Sequence, residues 1–299
     1  MKLVGMLLIA LSAAGFGTLA LFSHYAYADS MDTFSILFFR FSLSSIVMLV
    51  VLGLRRESLP RGSTLFKLVM MGVLGYVGSS FAYLTALRYA SSGLVALLLY
   101  LYPTFVMLLA ILLRHEKFTM MKGTALGIAL IGTALTVDPA GGEALGVLLA
   151  IAAAAIYAIY IILGTQVLKG VSVIQSTTVI FASAGTVSGV LMMVNGPQLP
   201  AANTGWIAIL SIVIITTVLP VIAFLAGLER VGATNAAMLS TLEPIVTVIL
   251  GAVWLNETLR PATLIGGGLI LVAVLLVIQS QLRHRPVQSQ DIRAVHREV

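Results

Sequence analysis

Glu243, in the run Leu242-Glu243-Pro244, is the only acidic residue well inside an apolar stretch of bilayer-spanning length. A carboxylate there costs about 2.5 to 3.5 kcal/mol on insertion scales, so it must face a partner or a wet cavity. Two roles are open for it. Either it binds a substrate ammonium or exchanges a proton, or it is held by backbone and hydroxyl donors beside the proline. Ser240 and Thr247, at i−3 and i+4, share its helical face and make a polar stripe physically consistent. Tyr76, Ser79, Ser80 and Tyr83 fall at i, i+3, i+4 and i+7 on one face of another apolar segment. Tyr100, Tyr157 and Tyr160 can complete a lining that accepts both apolar and hydrogen-bonding groups. Tyr89 and Tyr102 read instead as anchors at a membrane surface. Arg40 lies some six residues into its stretch from one end. It is expected to play a structural part, snorkelling to the surface or binding carbonyls.

Pro103 and Pro244 each remove an amide donor and are expected to free the carbonyls of Leu99 and Ser240. Such carbonyls survive in lipid only when buried in protein or turned to a cavity. Each proline is thus a packing kink or a hinge beside a site, and Pro220, after Thr216 and Thr217, is a third hinge candidate. The other chemistries lack their residues. The sequence has no cysteine, and His24, His115, His284 and His296 fall in loops or the tail without ligand spacing, so no metal or cofactor is expected. Gly266-Gly267-Gly268 permits close helix packing and has no strand or basic residue that would make it a phosphate loop. Glu116 and Glu257 are expected to cap or pair locally at helix ends.

The elements that must position these residues are helices in a bilayer. Of 299 residues, 60% are hydrophobic and only 9% charged, with a mean hydropathy of +1.08. Soluble domains carry roughly 25% charged residues. The pattern predicts an all-α polytopic protein with ten transmembrane helices, over 3–22, 34–54, 66–87, 92–113, 120–137, 144–165, 173–194, 205–227, 233–255 and 262–281. Lys2, an apolar stretch and Ala26-Tyr27-Ala28 have the parts of a cleaved signal. The stretch from Leu3 to Phe22 outruns the usual 7 to 15 residues of such a segment and matches a later span, so it is expected to be retained. With a cytoplasmic N-terminus, 14 of the 17 basic residues fall inside and only Arg88 and Arg260 outside, which places both termini in the cytoplasm. That distribution in short loops also argues against a nucleic-acid partner.

An offset of 141 residues aligns Gly5 with Gly146, Ala13 with Ala154, Pro103 with Pro244, Glu116 with Glu257 and Gly127 with Gly268. Each half holds five spans, an odd number, so the second must enter the membrane upside down. The expected domains are a first five-helix repeat over 1–141, an inverted second repeat over 142–282 and a disordered cytoplasmic tail over 283–299. In inverted repeats the site lies near mid-membrane where the halves meet.

With two five-helix halves, Phe39-Arg40-Phe41 in the second helix and a proline-to-glutamate spacing used twice, residues 3–281 resemble the drug/metabolite transporter superfamily, EamA branch. The segment Ala86-Leu87-Arg88-Tyr89-Ala90-Ser91-Ser92-Gly93, leading to Pro103 and Glu116, resembles that family's third-to-fourth helix pattern, and Ala226 to Glu257 its second copy. Phe16-Gly17 stands where the family often places tryptophan and glycine, with Tyr157-Ala158 at the repeat position. The resemblance implies a secondary transporter of the cell inner membrane that exports amino acids or related small metabolites by alternating access. The aromatic amino acid exporter group is the nearest resemblance. A monomer or weak dimer in the lipid bilayer is expected. A drug or nucleotide-sugar carrier is the alternative within transport and calls for a strongly acidic or basic cavity. A membrane-embedded enzyme calls for acids, histidines or metal ligands gathered at one depth, and a channel for a selectivity ring.

Overall fold

The computed structural model describes residues 2–86, 89–90, 95, 98–113, 118–136, 143–254 and 261–283. Arg88, Ser91 to Gly93, Arg114 to Lys117, Asp138 to Gly142, Glu257, Arg260 and the tail from His284 lie outside these, as do the expectations attached to them. Every regular element among the described residues is helical. In chain order these are α1 (Lys2–Ala28), α2 (Thr33–Leu54), α3 (Gly62–Tyr83), α4 (Tyr102–Leu112), α5 (Met120–Leu135), α6 (Ala144–Gly170), α7 (Val173–Asn195), α8 (Asn203–Val231), α9 (Ala233–Trp254) and α10 (Pro261–Gln279). All but α4 and α5 are long and apolar enough to cross a membrane, which makes eight such helices among the described residues. The stretch expected to span 92–113 is helical from Tyr102, because Leu101 caps α4 and Pro103 takes its first turn.

The helices start where the sequence supplies start signals. Asp32 accepts from the amides of Phe34 and Ser35 at the head of α2. Ser172 and Gln175 form a reciprocal capping box at the head of α7. The heads are also clamped across the chain. Ser172 Oγ donates to Glu57, and Gln175 Nε2 donates to the Ser58 carbonyl at 2.6 Å, so the loop after α2 sits on the start of α7. At the other end of the sequence relation, Gln198 N donates to Ser35 Oγ at 2.9 Å and Ala202 N to the Asp29 carboxylate, so the loop after α7 sits on the start of α2.

Corresponding helices of the two halves begin 140 to 142 residues apart. Their packing has the same correspondence. α2 lies against α7 and α5 against α10, each helix against its own counterpart. α1 packs on the later part of α8 just as α6 packs on the later part of α3, and α4 on α6 just as α9 on α1. Replacing each helix by its counterpart therefore returns the same set of neighbours.

The bundle is more polar inside than out. Leu7, Leu11, Phe66, Ile207 and Val253 stand exposed on its flanks, whereas Ser44, Ser45, Ser176, Thr177 and Thr178 are buried between α2 and α7. Water would drive the reverse arrangement. In lipid it is the stable one, since hydroxyls turned inward find carbonyls: Thr177 donates to Val173 and Thr178 to Ile174 and, across the interface, to Met48.

Close approach depends on Gly72 of α3. A Cβ there would sit 2.0 Å from Ser183 Oγ and 2.6 Å from the Ile180 carbonyl oxygen of α7. We expect Gly72→Ala to destabilise the fold by about 1 to 3 kcal/mol through forced separation of α3 and α7. Gly53→Ala, with nothing within 4 Å of the new methyl, should have little effect. Thermal unfolding in detergent measures both, and equal midpoints would refute this account of the α3 and α7 contact.

Candidate functional site

A cavity of about 170 Å³ opens where both halves contribute walls, and its lining draws on α1, α2, α3, α6, α9 and the turn before α4. Such a volume is small beside the roughly 300 to 1,000 Å³ of pockets for drug-sized ligands. It suits a small metabolite. Its chemistry is unusual for a membrane interior: one guanidinium, one carboxylate, four tyrosines and two serines share a single space.

Arg40 projects inward from α2 and is only 7% exposed. Its Nε donates to Thr217 Oγ1 at 2.8 Å, and Thr217 in turn donates to the Ile212 carbonyl at 2.8 Å. The guanidinium carbon lies 5.2 Å from the Phe41 ring centre and 5.9 Å from that of Tyr76, within range of cation–π attraction. Both supports come from widened turns. Tyr76 sits in a π-helical stretch of α3, Met71–Gly78, and Thr217 in one of α8, Ile214–Val218. These two residues are separated by the repeat offset of 141. One arginine is therefore gripped by corresponding positions of both halves.

Glu243 reaches the cavity because α9 is broken just before it. A short 3-10 turn over Ser240–Leu242 precedes the α-helical part Glu243–Trp254, and Pro244 occupies the first turn of that part. The carboxylate thus stands at a helix N-terminus, where the backbone dipole favours negative charge. Gly17 lets α1 come close: a Cβ on it would lie 2.9 Å from the Glu243 carbonyl oxygen. Thr247 fastens the approach, its hydroxyl placed 3.1 Å from the Gly17 carbonyl and 3.2 Å from that of Glu243.

A run of aromatic rings forms the remaining wall. Tyr102 packs edge-on against Tyr157 at 4.9 Å, Tyr157 stacks on Tyr160 at 5.9 Å, and Tyr160 meets Tyr76 edge-on at 5.5 Å. Ser79 donates to the Ala153 carbonyl at 3.0 Å and ties this face of α3 to α6.

Of the residues singled out in the sequence, Arg40, Tyr76, Ser79, Ser80, Tyr100, Tyr157 and Glu243 line the cavity together. Tyr160, Tyr83 and Ser240 do not line it. Tyr160 is buried behind Tyr157, Tyr83 belongs to a small cluster with Ala86, Val95 and Ala150, and Ser240 turns its hydroxyl back to the Ala236 carbonyl. The Ser240 carbonyl expected to be freed by Pro244 accepts the Glu243 amide within the 3-10 turn. Arg40 does not snorkel, because Thr217 and the two rings hold it inside the bundle. Tyr102 is no surface anchor: it is buried, lines the cavity and points its hydroxyl at the Ala237 carbonyl, 3.4 Å away. Phe16, Leu19, Gly75 and Leu99 also line the space without having been picked out as site residues. The repeat offset was the signal that could have found the missed polar partners, since it carries Glu243 onto Tyr102 and Tyr76 onto Thr217. Pro103, Pro220 and Pro244 stay off the wall, each in the first turn of a helical segment that follows an irregular one.

The model of the EamA-like transporter family matches this chain twice, over residues 3–138 and 144–279. The chain belongs to that family. It is a multi-pass membrane protein, and its EamA-like relatives carry names of the same kind. An uncharacterised transporter of Archaeoglobus fulgidus is 29% identical over 90% of this chain and 94% of its own. The uncharacterised transporter YcbK of Bacillus subtilis is 24% identical over 90% of this chain and 91% of its own. A crystal structure superposes on 93% of this chain and 97% of its own with a TM-score of 0.80 at 21% identity, a likeness of fold.

The Arg40 support makes a direct prediction. Thr217→Val removes the acceptor at Nε while keeping the shape, and we expect a loss of about 1 to 3 kcal/mol in stability. Thr186→Val, at an exposed position of α7, should leave the unfolding midpoint near that of the parent. Identical midpoints for both variants would show that the bond contributes nothing.

Proposed function

We propose that this EamA-like protein is a secondary transporter that exports amino acids or closely related small metabolites across the cell inner membrane by alternating access. The observation that carries the reading is the cavity itself. It is small, lies between the two family matches, and combines opposite charges with a tyrosine wall. A substrate bearing charged groups and an apolar side chain finds a partner there for each part. A drug carrier would need a larger space and a nucleotide-sugar carrier a more basic one.

In this reading the chain crosses the membrane ten times, as repeats 1–141 and 142–282 of opposite orientation, with both termini and the tail 283–299 in the cytoplasm. What supports the repeats is the exchange of neighbours when each helix is replaced by its counterpart, together with the double family match. A site at such an interface can open to either side by movement of one half against the other. Pro103, Pro220 and Pro244 are the hinges in this scheme. Each sits beside an irregular turn, where no full ladder of backbone hydrogen bonds has to break. The sequence holds no nucleotide-binding motif, so a gradient drives export.

The test is counterflow of labelled aromatic and aliphatic amino acids into liposomes loaded with unlabelled substrate. Saturable uptake that unlabelled amino acid competes away is the expected result, and Glu243→Gln should reduce it at least tenfold. Folded protein that moves none of the amino acids would overturn the substrate assignment and shift weight to the other carriers of this fold.

A further inference from the structure

Two opposite charges inside one cavity would ordinarily collapse onto each other. In a low-dielectric interior an isolated pair gains most when it closes into direct contact. Arg40 and Glu243 interact electrostatically across the space, yet no ion pair between them is formed. Their surroundings hold them apart. Arg40 is fixed to α8 through Nε and Thr217 and to the rings of Phe41 and Tyr76. Glu243 is fixed by the helix start at Pro244 and by the closure of α1 over Gly17 and Thr247.

Each charged group keeps its binding capacity toward the cavity. The only hydrogen bond of Arg40 among the described residues uses Nε, which leaves the two terminal Nη atoms of a side chain 93% buried, as its 7% exposure implies. Among the described residues Glu243 is hydrogen-bonded through its backbone alone. The guanidinium fork matches a carboxylate with two parallel bonds. A carboxylate matches an ammonium. Between them run Tyr76, Tyr100, Tyr102 and Tyr157, whose rings offer an apolar surface with polar tips.

We infer that Arg40 and Glu243 are the two ends of a zwitterion site, Arg40 taking the carboxylate and Glu243 the ammonium of one α-amino acid whose side chain lies on the tyrosine wall. This rests on the transport reading above and adds to it the recognition chemistry. An amino acid brings both counter-charges and no net charge, so it neutralises the two ends without leaving either unpaired. A molecule with only one of its charged groups leaves the opposite end desolvated and unmatched, which is the source of rejection. Arg40 thus becomes a substrate-binding residue, where the sequence suggested a structural one.

The experiment uses the full chain in liposomes, with counterflow of labelled phenylalanine as the readout and two competitors, phenethylamine and phenylpropionate. In the parent protein, unlabelled phenylalanine should compete roughly 10- to 100-fold better than either. Arg40→Gln should weaken phenylalanine by a similar factor and leave phenethylamine unchanged, while Glu243→Gln should do the same for phenylalanine and phenylpropionate. A merely structural Arg40 would lower the affinity for amine and amino acid alike. Arg40→Lys retains the charge without the fork and should fall between parent and glutamine variant. Should Arg40→Gln fail to fold, the competitor ranking in the parent decides alone. If the amine or the acid competes as well as the amino acid in the parent, the zwitterion site is refuted while transport stands. If no amino acid shows counterflow, the transport reading falls and takes this inference with it.

Discussion

A guanidinium buried in a bilayer-spanning bundle sets the terms for everything around it. The effective cost of desolvating such a charge is several kcal/mol, so its neighbours must supply donors, acceptors or π-faces at close range. Arg40 obtains a hydroxyl from Thr217 on α8 and rings from Phe41 and Tyr76 on α2 and α3. Those partners come from both halves of the chain. The interaction therefore does more than hold one side chain: it joins α2, α3 and α8 at a single depth and leaves the arginine's free face toward the cavity.

The helices that meet there are locally irregular for a related reason. A regular α-helix keeps its backbone groups to itself and presents only side chains. π-Helical stretches in α3 and α8, a 3-10 turn in α9 and the turn ahead of α4 alter the register so that Tyr76, Thr217, Glu243 and Tyr100 reach inward. Prolines follow directly after three of these four irregularities, where a missing amide costs least. Irregular backbone within a membrane is stable only when buried in protein or beside a cavity, and here it borders the polar space or backs it. The same positions are where the bundle can bend without losing its ladders of hydrogen bonds.

The two-part character of the chain organises both effects. The loop after α2 clamps the start of α7 while the loop after α7 clamps the start of α2, and corresponding helices exchange neighbours throughout. Yet the cavity is not symmetric in chemistry. Glu243 corresponds to Tyr102, and Arg40 to the buried Phe181. Duplication has provided the frame, and divergence of a few positions has given one wall a carboxylate and another a guanidinium.

Much of this was legible in the sequence, since a bilayer imposes strong rules on composition. Apolar runs located the helices to within a few residues, Asp32 and Ser172 marked helix starts, and the 141-residue offset anticipated the matched packing. Helical periodicity also placed Tyr76, Ser79 and Ser80 on one face, and the cost of a lone carboxylate pointed Glu243 to a cavity. Periodicity failed where the helices depart from 3.6 residues per turn. It put Tyr83 and Ser240 on the cavity face, which the π-helical and 3-10 turns rotate elsewhere, and it gave no sign that Tyr102 turns inward. Sequence by itself determined which residues are too polar to meet lipid. Only the tertiary structure decided which of them meet one another, because Arg40 and Thr217 lie 177 positions apart and their contact depends on how two distant helices pack.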